Sequence, residues 1–163
     1  MGTAYLSLGS NQDALAHLSR ARAELEARFP GARFSPLYRT PAVGFDGADF
    51  LNAGAVIDSD LDVVALDAWL HGLEDAHGRR RDMPRFSDRP LDIDIVFFDA
   101  LVFRGPGNLQ VPRPDLQHAF VLKPLVDLAP DFRDPASGRA LAQLWAAHPG
   151  VAAPPVAVAW PAG

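Results

Sequence analysis

The order of patterned segments predicts an α+β fold of the ferredoxin-like kind, a βαββαβ sandwich: an antiparallel sheet with helices packed on it, plus C-terminal helical additions. Stretches alternating every two residues and stretches repeating every three to four follow one another in that order. The clearest helical stripe is Val63, Leu66, Leu70, Leu73 and His77, and the clearest strand alternates Leu91, Ile93, Ile95 and Phe97. At 163 residues the chain has the length of one domain. That domain is read over 1–150, with an Ala/Pro-rich tail over 151–163.

Taken in order, residues 4–9 predict a first strand with Leu6 and Leu8 on one face. A helix follows over about 13–28, with Leu15, Leu18, Leu25 and Phe29 as its apolar stripe and Ser10 or Asn11 as its N-cap. Pro30-Gly31 ends it. Residues 33–39 predict a second strand, in which Pro36 indicates an edge or a bulge. Residues 40–49 read as a loop. The third strand, 50–57, puts Phe50 and Asn52 on one face and Leu51, Ala53, Ala55 and Ile57 on the other. Asp62 caps the second helix, Gly78 stops it, and Glu74 lies off its stripe. After the fourth strand come a short strand near 101–103, a turn at Gly105-Pro106-Gly107-Asn108, a helix over about 115–122 ahead of Pro124, and a last helix over about 140–147. The end, 151–163, lacks helical period and reads as a poorly ordered or surface-draped tail. Two helices on one face would leave the other face of the sheet free.

The chemistry concentrates between Gly78 and Phe98. Its first half carries Arg79, Arg80, Arg81, Arg85 and Arg89 around Met83-Pro84, which reads as a loop. Its second half is the fourth strand, where Asp92 and Asp94 share a face about 7 Å apart. Two carboxylates so placed call for a cation, and Mg²⁺ takes one or two carboxylates together with substrate phosphates. Guanidinium groups bind the remaining phosphate oxygens in a bidentate fork. An Asp-x-Asp pair and an arginine run are each also common as solvated surface. Here the opposite strand face is wholly apolar, which favours a magnesium–polyphosphate site.

Composition narrows the classes. A net charge of −5 argues against a general binder of nucleic acid or anionic membranes, and the arginine cluster fits a small anionic ligand. There is no 18-residue apolar run. The first residues lack the regions of a signal peptide. With no cysteine, the chain suits a reducing compartment, so a cytoplasmic location is expected. No Gly-x-x-x-x-Gly-Lys loop is present, so arginines and metal must hold any phosphates. A monomer is expected.

Six short blocks in register carry a resemblance: Leu-Ser-Leu-Gly-Ser-Asn from Leu6, Tyr38-Arg-Thr-Pro, Phe50-Leu-Asn-Ala, Glu74 with Gly78-Arg, Asp88-Arg-Pro-Leu-Asp-Ile-Asp-Ile, and Ala119-Phe-Val-Leu-Lys-Pro-Leu. Over about 4–146 the chain resembles the bacterial hydroxymethyldihydropterin pyrophosphokinases of folate biosynthesis. The resemblance implies transfer of diphosphate from ATP to the hydroxymethyl oxygen of the dihydropterin, releasing AMP. It implies two Mg²⁺ ions on Asp92 and Asp94, with Arg79 and Arg89 beside them in catalysis. ATP would meet Glu74, Arg79, Arg81, Arg85, Arg89, Ile95, Arg113 and His118. The pterin would stack between Phe50 and Phe120 under an aromatic lid, Phe86. Asn52 would bond its amide-like edge, Gly9 would permit close approach, and backbone groups of Thr40, Pro41 and Val43 would complete the pocket.

The chain departs from the family pattern in four places. Phe86 stands where a tryptophan is common, and Ser87-Asp88-Arg89 replaces Gly-Pro-Arg. Arg113 replaces a histidine, and His118 replaces an arginine. Histidine titrates near pH 6.5, so a phosphate contact from His118 would be pH-sensitive. A diverged paralogue, a metal-dependent phosphohydrolase on the same aspartates, and a ferredoxin-like RNA-binding module are the alternatives.

Overall fold

The computed structural model describes residues 1–41, 48–78 and 90–161. The elements run β1 (Gly2–Ser10), α1 (Ala14–Arg28), β2 (Arg33–Phe34), β3 (Leu37–Thr40), β4 (Phe50–Ser59), α2 (Val63–Ala76), β5 (Asp92–Phe98), β6 (Phe103–Arg104), β7 (Gln110–Val111), α3 (Ala119–Leu128), α4 (Leu141–Ala146), a 3₁₀ turn (Pro149–Ala152) and β8 (Val156–Val158). The main sheet is ordered β5-β1-β4-β3-β8, with β2 also on β4, and all these pairings are antiparallel. The long strands β1 and β4 lie at its centre; β6 and β7 form a separate hairpin.

One face is closed by α1 and α2. Leu6, Leu8, Leu51, Ala53, Ala55, Ile57, Ile93 and Ile95 meet Leu18, Leu25, Leu66, Leu70 and Leu73 in one apolar cluster. Each fully enclosed leucine there contributes about 1.5–3 kcal/mol. As expected, α2 begins on Asp62, whose carboxylate accepts from Ala65 N at 2.8 Å. The start of α1 differs. Its N-cap is Asp13, left-handed at φ 46° with no side-chain cap, because Ser10 Oγ donates to Gln12 O and Asn11 Nδ2 to Ala48 O instead. Leu15 is exposed rather than part of the stripe, since the first turn overhangs a groove beside Arg39 and Asp49; Ala21 takes its place between Leu18 and Leu25.

The opposite face is not free. α3 lies on it, so close to β4 that a Cβ on Gly54 would meet Pro124 Cβ at 3.1 Å and Leu125 Cδ2 at 3.2 Å. Tyr38 from β3 and Lys123 both donate to Asp127 and pin the helix down. A second apolar cluster, Val96, Phe97, Val121, Leu122, Leu125 and Leu141, fills the space between. The helix starts four residues later than the sequence suggests and runs through Pro124. Burial of Val121, Leu122 and Leu125 outweighs the hydrogen bond a proline cannot donate.

Three strand expectations change. The stretch 33–39 breaks at Ser35-Pro36 into β2 and β3: Ser35 Oγ accepts from Gly54 N at 2.9 Å, standing in where the proline cannot continue the ladder. In β5 the alternation slips, because Leu6 pairs with Ile95 but Tyr5 with Phe97. Val96 is the extra residue of a bulge, so Phe97 turns into the α3 side and Phe98 toward the α1/α2 side. Finally, the tail is not poorly ordered. Residues 156–158 pair with β3 as β8, Trp160 Nε1 donates to Ser35 O at 2.7 Å, and Arg22 lies between the rings of Phe34 and Trp160.

Candidate functional site

The register of the sheet builds one polar row across four strands on the α3 side: Asp92 on β5, Gly9 on β1, Asn52 on β4 and Tyr38 on β3. The next row is Asp94, Ser7 and Gly54. With strands about 4.8 Å apart, Asp92 and Asn52 stand roughly 10 Å from each other across the bare backbone of Gly9. A Cβ at Gly9 would come within 2.8 Å of Asn52 Oδ1, so any side chain there would displace the amide. Asn52 is 5% exposed, and its Nδ2 donates to Thr40 Oγ1 at 2.9 Å. Thr40 is thus engaged through its hydroxyl.

Phe50 is half-buried, two residues before Asn52 on the same face. The position of Phe120 follows from how α3 runs. Pro124 and Leu125 lie over Gly54, while Leu128 O accepts from Arg33, the partner of Val56. The helix therefore advances in the same direction as β4. One helical turn back from Pro124 brings Phe120 about level with Asn52, since about 6 Å of helix matches two strand residues. His118, at the N-cap of α3, stacks on the Phe120 ring at 4.8 Å and 19°, and Phe120 is partly buried against the second apolar cluster.

At the sheet edge, Asp92 and Asp94 are half-buried. Arg113 approaches them: its Nη1 lies 3.8 Å from Asp94 Oδ1, its Nε donates to Asp115 Oδ2 at 2.8 Å, and its backbone N–H donates to Val96 O at 3.0 Å. Burial acts to lower the Arg113 pKa, but Asp94, Asp115 and Asp92 outweigh it and the net shift is upward. Glu74 is buried at 1% exposure, and its carboxylate accepts from Ile93 N at 2.8 Å, fixing β5 between the two aspartates. Its expected place off the stripe is corrected: it faces inward onto the edge strand. Ile95's side chain sits in the apolar layer on the opposite face, which leaves its backbone for any contact.

Among the described residues no group of three or more carboxylate, histidine or cysteine side chains is arranged to hold a metal. The two aspartates fit Mg²⁺ by donor chemistry, since this ion completes its shell with phosphate oxygens and water. They already draw a cation, Arg113. Pro41 is exposed. Val43, Arg79, Arg81, Arg85, Phe86 and Arg89 lie outside the described residues. Sequence reasoning missed Asp115, whose spacing of two from Arg113 across Pro114 was the available signal. It also missed a partly buried set between α1 and α2, where His17 Nδ1 and His77 Nδ1 are 2.8 Å apart and His77 Nε2 is 3.2 Å from Glu24 Oε1.

Two concavities do not coincide with the aspartate face. One of about 500 Å³ lies between the β6–β7 hairpin and residues 111–117, with Arg113 in its wall. The other, about 460 Å³, is the groove beside Leu15. The strand rows, not a cavity, define the site.

Residues 5–130 match the family model described as 7,8-dihydro-6-hydroxymethylpterin-pyrophosphokinase. A 2-amino-4-hydroxy-6-hydroxymethyldihydropteridine pyrophosphokinase of Pseudomonas aeruginosa is 39% identical over 150 residues, covering 89% of this chain and 91% of the relative. The enzyme of the same name from Methylorubrum extorquens is 36% identical, covering 81% and 85%. The crystal structure of Plasmodium falciparum HPPK-DHPS superposes with a TM-score of 0.70 at 15% identity. It covers 90% of this chain but 44% of that longer one, and it speaks for the fold alone.

Proposed function

The chain belongs to the 7,8-dihydro-6-hydroxymethylpterin-pyrophosphokinase family, and from that premise we propose how its residues carry the reaction. It is an enzyme that transfers a pyrophosphoryl group from ATP to the hydroxymethyl group of the dihydropterin in folate biosynthesis. The observation that carries the residue assignment is the row Asp92–Gly9–Asn52, which sets a carboxylate pair and an amide at opposite ends of one bare strip of backbone.

The pterin would stack between Phe50 and Phe120, with His118 stacked on the Phe120 ring. Asn52, with one N–H committed to Thr40, offers its other N–H and Oδ1 to the amide-like edge of the ring. Backbone groups of Thr40 and Pro41 would line the same pocket, and the same contact is proposed for Val43, which lies outside the described residues. Gly9 lets the ring reach toward Asp92 without a side chain in the way. Asp92 and Asp94 would hold Mg²⁺, two ions in number, which would supply neutralisation of the phosphate charge. Glu74 fixes the strand that carries them and flanks the ATP side. Arg113 and His118 approach the nucleotide from the α3 end, Ile95 contributes through its backbone, and Arg79, Arg81, Arg85 and Arg89 complete the charge balance, with Phe86 over the pterin. Positioning and charge neutralisation are what such a transfer needs from protein.

The strand order supports a ferredoxin-like sandwich. No described helix is long and apolar enough to cross a membrane. The working form proposed is a monomer acting on small molecules in the cytoplasm, with a cysteine-free composition that suits a reducing compartment.

The test is AMP release from Mg·ATP with and without hydroxymethyldihydropterin. AMP only with pterin is the expected result; ATP hydrolysis independent of pterin would replace the transferase with a phosphohydrolase.

A further inference from the structure

Arg113 is tied at three points, and the ties differ in kind. Its main chain is fixed by Val96 O at 3.0 Å, on the residue that bulges out of β5. Its Nε is fixed by Asp115 Oδ2 at 2.8 Å. Its Nη1, at 3.8 Å from Asp94 Oδ1, is close enough to neutralise charge but too far for a hydrogen bond. The guanidinium therefore faces Asp94 as a charge rather than as a hydrogen-bond donor. The side chain is 26% exposed and lines the groove of about 500 Å³ beside the β6–β7 hairpin, so it has room to turn about the Nε–Asp115 bond.

On these grounds we propose that Arg113 is a resident counter-ion of Asp94, held there by Asp115, which an incoming divalent cation displaces. The inference rests on the metal reading of Asp92 and Asp94. A metal ion and a guanidinium on one carboxylate repel each other, while loss of the arginine leaves the carboxylates more negative. The displaced guanidinium stays tethered beside the metal, positioned to take phosphate oxygens in its fork. Binding of metal and release of this arginine are then one event.

The experiment measures Mn²⁺ binding to the nucleotide-free protein by electron paramagnetic resonance, with folding of each variant checked by its melting curve. Arg113→Gln and Arg113→Ala are expected to bind Mn²⁺ about two- to fivefold tighter than wild type, the worth of a partly exposed ion pair. Unchanged or weaker binding in both variants overturns the displacement. Mn²⁺ binding that survives in an Asp92→Asn, Asp94→Asn double variant overturns the metal reading itself. Loss in that variant with no change at Arg113 overturns only the counter-ion. For the tether, exchange of the Arg113 Nε–H proton with water should accelerate in Asp115→Asn and slow again in Asp115→Glu; unchanged exchange removes Asp115 from the role.

Discussion

On the α1/α2 side, β1, β4 and β5 present Leu6, Leu8, Leu51, Ala53, Ala55, Ile57, Ile93 and Ile95, none more than 6% exposed. On the α3 side, the same strands present Ser7, Gly9, Asn52, Gly54, Asp92 and Asp94. The first face is held by non-directional burial, and its residues could be exchanged for others of similar volume at modest cost. The second is held by particular pairs: Asn52 with Thr40, Arg113 with Asp115, Tyr38 and Lys123 with Asp127. α3 closes part of that face and stops near the level of Phe120. Stability and ligand chemistry are thus separated by the two-residue period of the strands, which lets mutations address one at a time.

The sharpest contrast sets a carboxylate against a leucine. Asp92→Asn or Asp94→Asn should lower turnover at least about a hundredfold, the scale of a lost positioned electrostatic contact, with little change in melting temperature. Leu66→Ala should do the reverse, costing about 2–5 kcal/mol in denaturant unfolding while folded molecules keep their turnover. Near-normal AMP formation by both asparagine variants at limiting Mg²⁺ would break the comparison. A smaller effect is expected at Gly9→Ala. Its Cβ would press on Asn52 Oδ1, and pterin affinity measured by calorimetry should fall about tenfold, one buried hydrogen bond's worth, with binding of an ATP analogue retained.

Smaller again is Phe120→Ala. Lost stacking of about 0.5–1.5 kcal/mol should weaken pterin more than ATP. Equal weakening of both ligands together with about 3–5 kcal/mol of lost stability would make Phe120 part of the core instead. The last prediction sharpens the helix side. The His77 pKa is lowered, chiefly by burial, against the raising influence of Glu24; Arg20 and His17 add to the lowering. The unfolded chain then holds more protons than the folded one between the folded pKa and about 6.5, so stability falls as pH drops through that window. Melting temperatures from pH 8 to pH 5 should show this slope, and His77→Gln should flatten it.

Much of this was legible because periodicity reports burial. The stripe of α2 and the alternation of β4 name their own core residues, and Asp92 and Asp94 declare a shared face. What could not be read depends on partners distant in sequence. The bulge at Val96 exists only relative to Tyr5 and Leu6 on β1, and nothing local distinguishes Phe97 from Phe98. β8 is three residues of weak pattern that become a strand only because β3 offers an open edge. Pro124 looks like a stop, yet Gly54, distant in sequence, lets the helix lie close against β4 there. In the site, Asn52 was readable by its face, whereas the inward turn of Glu74 toward Ile93 N required β5 to be in place.

The placement of β8 has a consequence for the order in which the protein is made. Synthesis runs from the N-terminus, and folding can begin before it ends. β1, β4 and β5 are complete early, so the apolar layer with α1 and α2 can form first. β3 carries the Thr40 hydroxyl that holds Asn52, yet among the described residues its outer edge is paired by residues 156–158 alone. Until those residues leave the ribosome, β3 is an uncapped edge able to recruit a strand from another chain. The face proposed for binding is accordingly finished last, and the nascent chain is most exposed to wrong pairing on the strand whose Thr40 orients the Asn52 amide.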